Sequence, residues 1–557
     1  MSRPTLRRIR MTAALLAGLV ALTGCAGIPT GGPVGTAQLS SGDDGGDLVT
    51  IAEGPQPGAS PEQLLANFLT AQRAPSGDYS VARLFLTDEF RTVWSPTERV
   101  LISNSPTTPT AVAEGSLRLT VNVQAFVNST GNYSELAKPE AQSLDYEFAK
   151  NADGEWRIAS APAGILLSTT QFATTFGAYP LYFFEPSGAF LVPDVRWFPD
   201  TASRPERIVT ELLAGQSTWY QNGVLVTAFP SGTKVQDVTI DSGTASVDLS
   251  SEVAAQPADA RWRMQQQLVA SLALGDVSSV QLTVGGLPIE VGSGTKPEWV
   301  LSVSSSPAGL ADGSFGFLSA GGARSIPGIS STVEGLVPLG ATLGRDATSA
   351  AVRTASGAWL VPADGDPALL DPRSGIVDPG LDVQGYLWSA VAADPHSIVA
   401  YAADGTPHPL STPYLEGEIR ALHVSRDGSR LLVGTQGDAG PAVTIVGIVR
   451  DADGVPVGLG EPLELVVGEA PLLDATWVDA STVAVLSQEG DETRVDLYRI
   501  GGRHESYGTV AQGVQLVGGN LADGLRVRGA DGTVWRHSAS GGWQSTGLVV
   551  SFLATLQ

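Results

Sequence analysis

The chain has 557 residues, of which 43% are hydrophobic and 16% are charged, with 65 glycines and 36 prolines. At roughly 100 to 200 residues per domain, this length predicts about three to five domains and excludes a single small module, and the composition excludes a disordered chain. The 57 acidic and 33 basic residues give a net charge of -24, so nucleic acid is not expected as a partner.

Residues 1–25 have the pattern of a secretory signal peptide. Four arginines within the first ten residues precede an apolar run from Met11 to Leu22. A helix of this length rises about 18 Å, too little to cross a bilayer core of about 30 Å. The run therefore predicts a cleaved signal rather than a membrane-spanning helix.

The signal ends in Leu22-Thr23-Gly24-Cys25, which matches a bacterial lipobox, in which the cysteine thiol is joined to diacylglycerol before cleavage just ahead of it. Cys25 is the only cysteine of the chain, so we expect S-diacylglycerol and N-palmitoyl modification there, with membrane lipid as a partner. The alternative is an ordinary signal peptide followed by an incidental buried cysteine. Residues 26–60, rich in Gly, Pro, Ser and Asp, predict a flexible tether.

Residues 61–175 predict an N-terminal α+β domain. Ser60-Pro61-Glu62-Gln63 has the pattern of a capping box and opens a helix. A second helical segment is predicted up to Trp94, and from Ser116 the apolar period changes to two, which indicates an antiparallel sheet. We expect a nuclear-transport-factor-2-like (NTF2-like) cone that serves for packing or spacing, since no cluster of histidines or paired acids marks its pocket.

Residues 176–295 predict a second α+β domain that opens with the aromatic strand Tyr179–Phe184. Its first helix is expected to start at a capping box, Ser203 to Glu206, and to stop at Gly215. Three segments, Pro230 to Val235, Gly243 to Ser250 and Val280 to Gly286, together with the Gln265-Gln266-Gln267 helix, resemble the GerMN domain of sporulation and spore-germination proteins. The further predicted elements are strands at 235–240, 245–249 and 280–284 and a helix at 258–274.

Residues 301–557 predict an all-β domain, because short apolar strands alternate with Gly, Asp and Pro throughout. At about 40 to 45 residues per four-stranded blade, this length makes a β-propeller of about six blades, within a range of five to seven. We expect one terminal strand to complete a blade begun by the other, from the apolar stretches Trp299–Val303 and 548–557. The alternative is a frayed tail.

Several motifs that suggest chemistry are better explained as turns. Ser231 and Ser293 each precede a lysine by three residues, as in penicillin-binding enzymes, but neither is expected to begin a helix. Asp451-Ala452-Asp453-Gly454 lacks the remaining ligands of a calcium loop and predicts a hairpin turn. We therefore predict no catalytic residue, no metal site and no cofactor, since none of the five histidines has helical metal-ligand spacing; these are His396, His408, His423, His504 and His537.

An aromatic run in the second domain is predicted to form core or the seam between the first two domains, with a binding face as the alternative. The run consists of Tyr179, Tyr182, Phe183, Phe184, Phe190, Trp197 and Phe198.

The order of the predicted segments resembles that of the LpqB family of actinobacterial lipoproteins. This order is lipobox, tether, α+β domain, GerMN-like domain and propeller. The resemblance implies a lipid-anchored protein on the extracytoplasmic face of the cell membrane. It also implies contact with the extracellular domain of an MtrB-like sensor histidine kinase, and modulation of that two-component system in envelope homeostasis and division.

The residues alone indicate a non-enzymatic scaffold or sensor. One alternative is a propeller that binds a cell-wall glycan or another wall polymer. A cell-wall hydrolase is disfavoured, because no acid pair, triad or metal set can be assembled from recognisable motifs.

Overall fold

The computed structural model describes residues 53–275, 277–538 and 541–557. The predicted signal peptide, the lipobox Leu22-Thr23-Gly24 with Cys25, and all but the last residues of the tether lie outside these ranges. The described residues belong to one compact unit. No helix in this part of the chain combines the length and the hydropathy needed to cross a membrane.

The N-terminal domain starts with helix α1 (Pro61–Ala71), whose capping box is confirmed: Ser60 accepts from the Gln63 backbone and Gln63 reaches back to Ser60. The predicted second helix up to Trp94 is wrong, because the chain forms two short helices, α2 (Ser76–Arg83) and α3 (Asp88–Val93). Residues 85–87 between them join the sheet instead, with backbone bonds of 2.9 Å in both directions to Ile158.

A six-stranded sheet completes this domain and confirms the α+β prediction, while the NTF2-like kind stays a prediction. Burial alternates along the central strand β3, as its period of two predicts. The strand order is β5-β4-β3-β1-β6, with β2 on β3. The strands are β1 (Arg99–Ile102), β2 (Thr110–Ala113), β3 (Ser116–Asn128), β4 (Tyr133–Lys150), β5 (Trp156–Ser160) and β6 (Ile165–Leu167), followed by helix α4 (Thr169–Thr175).

The second domain has a β-hairpin and a four-stranded sheet of order β12-β11-β10-β9, in which β10 and β11 are parallel and joined by helix α6. The predicted strands at 235–240, 245–249 and 280–284 are confirmed to within one residue, and the aromatic strand begins three residues before the predicted Tyr179. The elements are β7 (Phe176–Phe184), β8 (Leu191–Pro199), α5 (Arg204–Ala214), a 3-10 turn (Thr218–Tyr220), β9 (Val235–Asp241), β10 (Thr244–Leu249), α6 (Ala258–Ser271), β11 (Ser279–Val284) and β12 (Leu287–Pro288).

The helix that starts after Ser203 begins where predicted, but one predicted capping bond and one predicted helix end in this domain differ from the structure. Ser203 makes no capping bond, because its hydroxyl pairs at 3.1 Å with that of Thr201. Helix α6 ends at Ser271 rather than Leu274, whose N–H closes a tight turn onto the Leu272 carbonyl. The predicted stop of α5 at Gly215 is confirmed; its φ of 107° is one that side chains other than glycine rarely adopt.

The third domain is a propeller with six four-stranded sets in the described part of the chain, as predicted. The first blade consists of β36, β13, β14 and β15 and the second of β16 to β19. Each of the other four blades consists of the next four strands in sequence, and the first of these is its inner strand. The first three blades contain β13 (Ala308–Ala311), β14 (Ser314–Ser319), β15 (Gly322–Arg324), helix α7 (Ser330–Gly335), β16 (Gly340–Leu343), β17 (Ser349–Thr354), β18 (Gly357–Pro362), β19 (Ala368–Asp371), β20 (Gly380–Leu381), β21 (Leu387–Ser389), β22 (Val399–Tyr401) and β23 (Pro407–Pro409).

The remaining strands, which include the one that closes the ring, have the following bounds: β24 (Glu418–Val424), β25 (Arg430–Gly437), β26 (Gly440–Arg450), β27 (Pro456–Leu465), β28 (Leu472–Trp477), β29 (Thr482–Glu489), β30 (Glu492–Arg499), β31 (His504–Ala511), β32 (Gly513–Val517), a 3-10 turn (Ala522–Gly524), β33 (Arg526–Gly529), β34 (Thr533–His537), β35 (Trp543–Val549) and β36 (Phe552–Leu556).

The C-terminal strand closes the ring. Strand β36 pairs antiparallel with β13 and parallel with β16, so it completes the first blade and joins it to the second. The predicted contribution of Trp299–Val303 is wrong, since this segment is not a strand. Its last residue is held by a side chain instead: Asn520 bonds the N–H and the carbonyl of Val303 at 2.6 and 2.9 Å.

Polar side chains of one blade form hydrogen bonds with the backbone of the inner strand of the next blade and so hold the two blades together. Gln436 accepts from the Leu472 N–H at 2.8 Å, and Asp474 accepts from the Leu516 N–H at 2.7 Å. Gln515 both donates to and accepts from the Leu553 backbone at 2.9 Å. These bonds satisfy buried backbone groups that no neighbouring strand reaches.

The ring sits with one face on the second domain, and we call this the docked face. Turns from three blades make the contact. Arg345 pairs with Glu298, Arg430 donates to the Tyr220 hydroxyl at 3.2 Å, and the Gly501 carbonyl accepts from the Trp197 indole at 2.7 Å. We call the opposite face of the ring the open face. The inner strand of each blade runs from the open face to the docked face.

Candidate functional site

The motifs rejected from sequence lie in exposed turns and extended segments. Ser231 is in a turn that leads into β9, and Ser293 and Lys296 are exposed in an extended stretch. The predicted hairpin turn at Asp451 is confirmed: its carboxylate accepts from the N–H groups of Asp453 and Val455 at 3.0 and 2.9 Å, between β26 and β27.

The histidines are scattered over the propeller. His396 bonds the Thr412 carbonyl at 2.8 Å, and His504 contacts Glu135 of the N-terminal domain at 3.1 Å. Within residues 53–275, 277–538 and 541–557, no three His, Cys, Asp or Glu side chains come close enough together to hold a metal ion.

The aromatic run does form a seam. Trp197 packs against Tyr133 and Phe172 of the N-terminal domain, with ring centroids 5.8 and 4.9 Å apart. The indole N–H of Trp197 points to the propeller turn at Gly501. The prediction of a seam between the first two domains is therefore confirmed, and the same residue also touches the third domain.

The strongest candidate site is a pocket of about 180 Å³ on the ring axis, which we call the axial pocket. It opens at the open face, where the exposed side chains of Leu339 and Val514 belong to its wall. At the docked end the axis is crossed by the buried side chain of Gln557, which donates to the carbonyls of Val424 and Ser425 at 2.8 and 3.1 Å. The site is thus a blind pocket rather than a through-channel.

Five arginine and aspartate side chains in its wall come from five different blades, and His423 shares the strand of one of them. Their positions follow from the topology: Arg353 is on β17, Asp378 precedes β20, Arg420 is on β24, Asp474 is on β28 and Arg528 is on β33. No two of them are neighbours in sequence, so no local motif could have predicted the site. Inner strands and their loops converge on one axis, and only that convergence brings these residues together.

Two of the arginines have acidic partners. Arg353 donates to Asp378 at 2.6 Å, and Arg420 donates to Glu418 at 2.9 Å. Arg528 has none within 4 Å among the described residues; its bonds go to the Gln515 amide oxygen at 3.4 Å and to the Gly529 carbonyl at 3.3 Å. Burial lowers the pKa of Arg528, partly offset by the charge of Asp378. Its guanidinium therefore faces the pocket without a counter-ion.

Asp474 adds no negative charge at neutral pH. Burial within the ring raises its pKa to about 8, and the nearby Asp378 carboxylate raises it too, whereas hydrogen bonds from the Leu516 and Ala475 N–H groups act in the opposite direction. Burial also lowers the pKa of His423, in the same wall, to about 4, so this imidazole is neutral at pH 7. Of the three guanidinium groups of the pocket, two are paired with the carboxylates of Asp378 and Glu418 and the third is unpaired, so the net charge of the group is positive.

Comparisons with known proteins agree with this architecture. The chain matches the lipoprotein LpqB N-terminal domain at residues 54–173, the family described as sporulation and spore germination at 180–290, and the lipoprotein LpqB β-propeller domain at 313–551. Lipoprotein LpqB of Thermobifida fusca is 27% identical over 94% of this chain and 96% of its own length, and that of Cutibacterium acnes is 28% identical over 72% and 65%.

Among solved structures, the first GerMN domain of the sporulation protein GerM from Bacillus subtilis is similar to part of the chain. It is 20% identical, covers 22% of this chain and 97% of its own length, and has a TM-score of 0.18. The matches at residues 54–173 and 313–551, which together cover more than half of the chain, carry the same description as the Thermobifida fusca relative that aligns along nearly the whole length, and the chain belongs to the LpqB lipoprotein family.

Proposed function

We propose that this protein is a non-enzymatic accessory of an MtrB-like sensor histidine kinase, anchored through acylated Cys25 on the extracytoplasmic face of the cell membrane. In this role it modulates a two-component system that controls envelope homeostasis and division. The lipobox residues Leu22-Thr23-Gly24-Cys25 and membership of a lipoprotein family support the anchor. A contact with the extracellular domain of the kinase supplies the link to signalling.

The observation that carries the proposal is that buried polar contacts fix the arrangement of the three domains. Asp194 and Arg196 of the second domain form a buried ion pair of 2.7 Å, with side chains 4% and 2% exposed. Arg196 also donates to the Thr130 carbonyl of the N-terminal domain at 2.9 Å, and the Ser217 hydroxyl bonds both Asp194 and Asn132. Separating the first two domains would leave the buried polar groups of Arg196 and Ser217 without these partners, at a cost of about 1–3 kcal/mol each. The bonds of Trp197 to Gly501 and of Arg430 to Tyr220 hold the propeller to the second domain, so the three domains present their surfaces to a partner as one body.

Site-specific photo-crosslinking in living cells tests the contact. One exposed apolar residue in each domain offers a position for the crosslinking side chain: Val93, Leu287 and Val337, with exposures of 72%, 72% and 75%. We expect at least one of them to capture a sensor histidine kinase, and the position that does so identifies the contacting domain.

The matched control places the same crosslinking group at Val485, which is 4% exposed and should capture nothing. Recovery of cell-wall polymer alone, with no kinase at any of the three exposed positions, would contradict the proposal and support a wall-binding propeller.

Cys25→Ser should abolish lipid attachment, because serine cannot form the thioether. We expect the variant to keep its signal segment, or to be released from the membrane, with a mass that lacks the acyl groups. Membrane fractionation followed by mass spectrometry checks this, with Ser40→Ala in the predicted tether as the control. A variant that is recovered in the membrane with the acylated mass of the wild type would disprove the lipobox interpretation.

A further inference from the structure

The axial pocket has the features of a ligand site that faces away from the second domain. The ring is seated through its docked face, and the pocket opens at the opposite face. Leu339 and Val514 in its wall are 48% and 40% exposed. A solute can therefore reach the arginines from solvent without any domain having to move.

The charge of the pocket is opposite to that of the chain. The whole protein has a net charge of -24, yet three arginines converge here on a space of about 180 Å³. Two of them are held by carboxylates, while Arg528 has only two long bonds to neutral acceptors. A half-buried guanidinium with unused donors binds an anion strongly, since charge-assisted hydrogen bonds are roughly twice as strong as neutral ones.

The size and the lining of the pocket narrow the choice of anion. A volume of 180 Å³ is close to that of an engineered cavity of about 150 Å³ that binds benzene, so it suits a small ligand and is too small for a folded segment. The accessible lining is mostly polar, and the exposed apolar side chains of Leu339 and Val514 lie at its mouth. These would cover a short aliphatic stem, while Arg528 meets a planar two-oxygen group with its fork of donors.

The backbone at the mouth is held in an unusual conformation. Val337 and Gln512, each two residues before a rim residue, have positive φ angles of 56° and 46°. For a β-branched residue such as Val337 this conformation costs on the order of 1–3 kcal/mol, and such strain concentrates at ligand sites.

We propose that the axial pocket binds an aliphatic carboxylate, with Arg528 as its main contact. Gln515 orients Arg528, because its amide oxygen lies 3.4 Å from the arginine Nε while its amide group is fixed to the Leu553 backbone. The carboxylate is that of a peptide C-terminus or of a free short-chain acid. Binding here does not require the kinase contact proposed above.

Isothermal titration of the folded protein with four probes tests this. Acetyl-alanyl-alanine represents a peptide terminus and butyrate a free acid; acetyl-alanyl-alanine amide and inorganic phosphate are the controls. We expect at least one of the two carboxylates to bind, and the amide not to bind. Tighter binding of the peptide identifies a chain terminus as the source of the carboxylate, and tighter binding of butyrate identifies a free acid.

Arg528→Gln should weaken carboxylate binding about tenfold or more. Arg536→Gln removes an exposed positive charge from the same blade, outside the pocket, and should change the affinity less than twofold. If Arg528→Gln fails to fold, Val514→Trp at the exposed rim blocks the mouth and should give the same loss. Equal binding of peptide and amide, binding of phosphate alone, binding of no probe, or unchanged affinity in these variants would overturn the proposal.

Discussion

Removal of residues 552–557 should unfold the whole propeller rather than shorten it. The deletion takes away β36, which pairs with β13 on one side and β16 on the other. It therefore opens the ring and exposes two strand edges. It also removes the buried side chains of Phe552 and Leu553, each of which stabilises a core by about 1.5–3 kcal/mol or more. Limited proteolysis of the full-length chain should show degradation throughout residues 301–551, with the wild type resistant.

A pair of point substitutions shows whether the instability comes from loss of ring closure or from the shorter chain. Leu553→Asp places a charge at a position that is fully buried, whereas Val549→Asp places the same charge four residues earlier at a position 61% exposed. The first should lower the melting temperature strongly and the second by only a few degrees. Equal protease resistance of the deletion variant and the wild type would show that β36 does not close the ring.

Arg430→Ala should destabilise the protein by about 3–5 kcal/mol, because it leaves Asp427 charged and buried without its partner. Arg430 is fully buried, pairs with Asp427 at 2.5 Å, and donates to Tyr220 and to the Ala480 carbonyl at 3.2 and 2.6 Å. Its guanidinium also lies over the Trp477 ring, 5.0 Å from the centroid. Urea unfolding followed by tryptophan fluorescence measures the loss.

Two further variants show whether the loss comes from the unpaired charge. Tyr220→Phe removes the bond from Arg430 across the domain contact and the 3.2 Å bond to the Pro193 carbonyl, and should cost about 1–3 kcal/mol, less than Arg430→Ala. Arg430→Met combined with Asp427→Asn removes both charges and should be clearly less destabilising than Arg430→Ala. If the double variant is as unstable as Arg430→Ala, burial of an unpaired Asp427 is not the cause.

Local sequence patterns predicted those elements whose stabilising contacts are themselves local. The capping box at Ser60 and the alternation along β3 depend on residues within a few positions of each other, and both are present. The blade count also followed from sequence, since the number of strands in a ring scales with length. At Ser203 the same capping pattern failed, because a neighbouring hydroxyl competed for the serine side chain.

Elements stabilised by distant residues were predicted poorly. The expected helix through Trp94 is interrupted because residues 85–87 bond to Ile158, more than seventy positions away. Trp299–Val303 has the composition of a strand, but the side chain of Asn520 takes both polar groups of Val303. The axial pocket could not be predicted for the same reason: Arg353, Asp474 and Arg528 become neighbours only when the ring closes.

The position of β36 also determines when the propeller can be completed during synthesis. Until residues 552–556 have been synthesised, β13 and β16 lack the strand that lies between them. The rest of the ring therefore has two strand edges whose backbone groups are unpaired. Such edges are sites of intermolecular pairing. The contact between β13 and β36 joins segments far apart in sequence, and such contacts form slowly. The first blade is therefore the earliest part of the propeller to be translated and also the last to be completed.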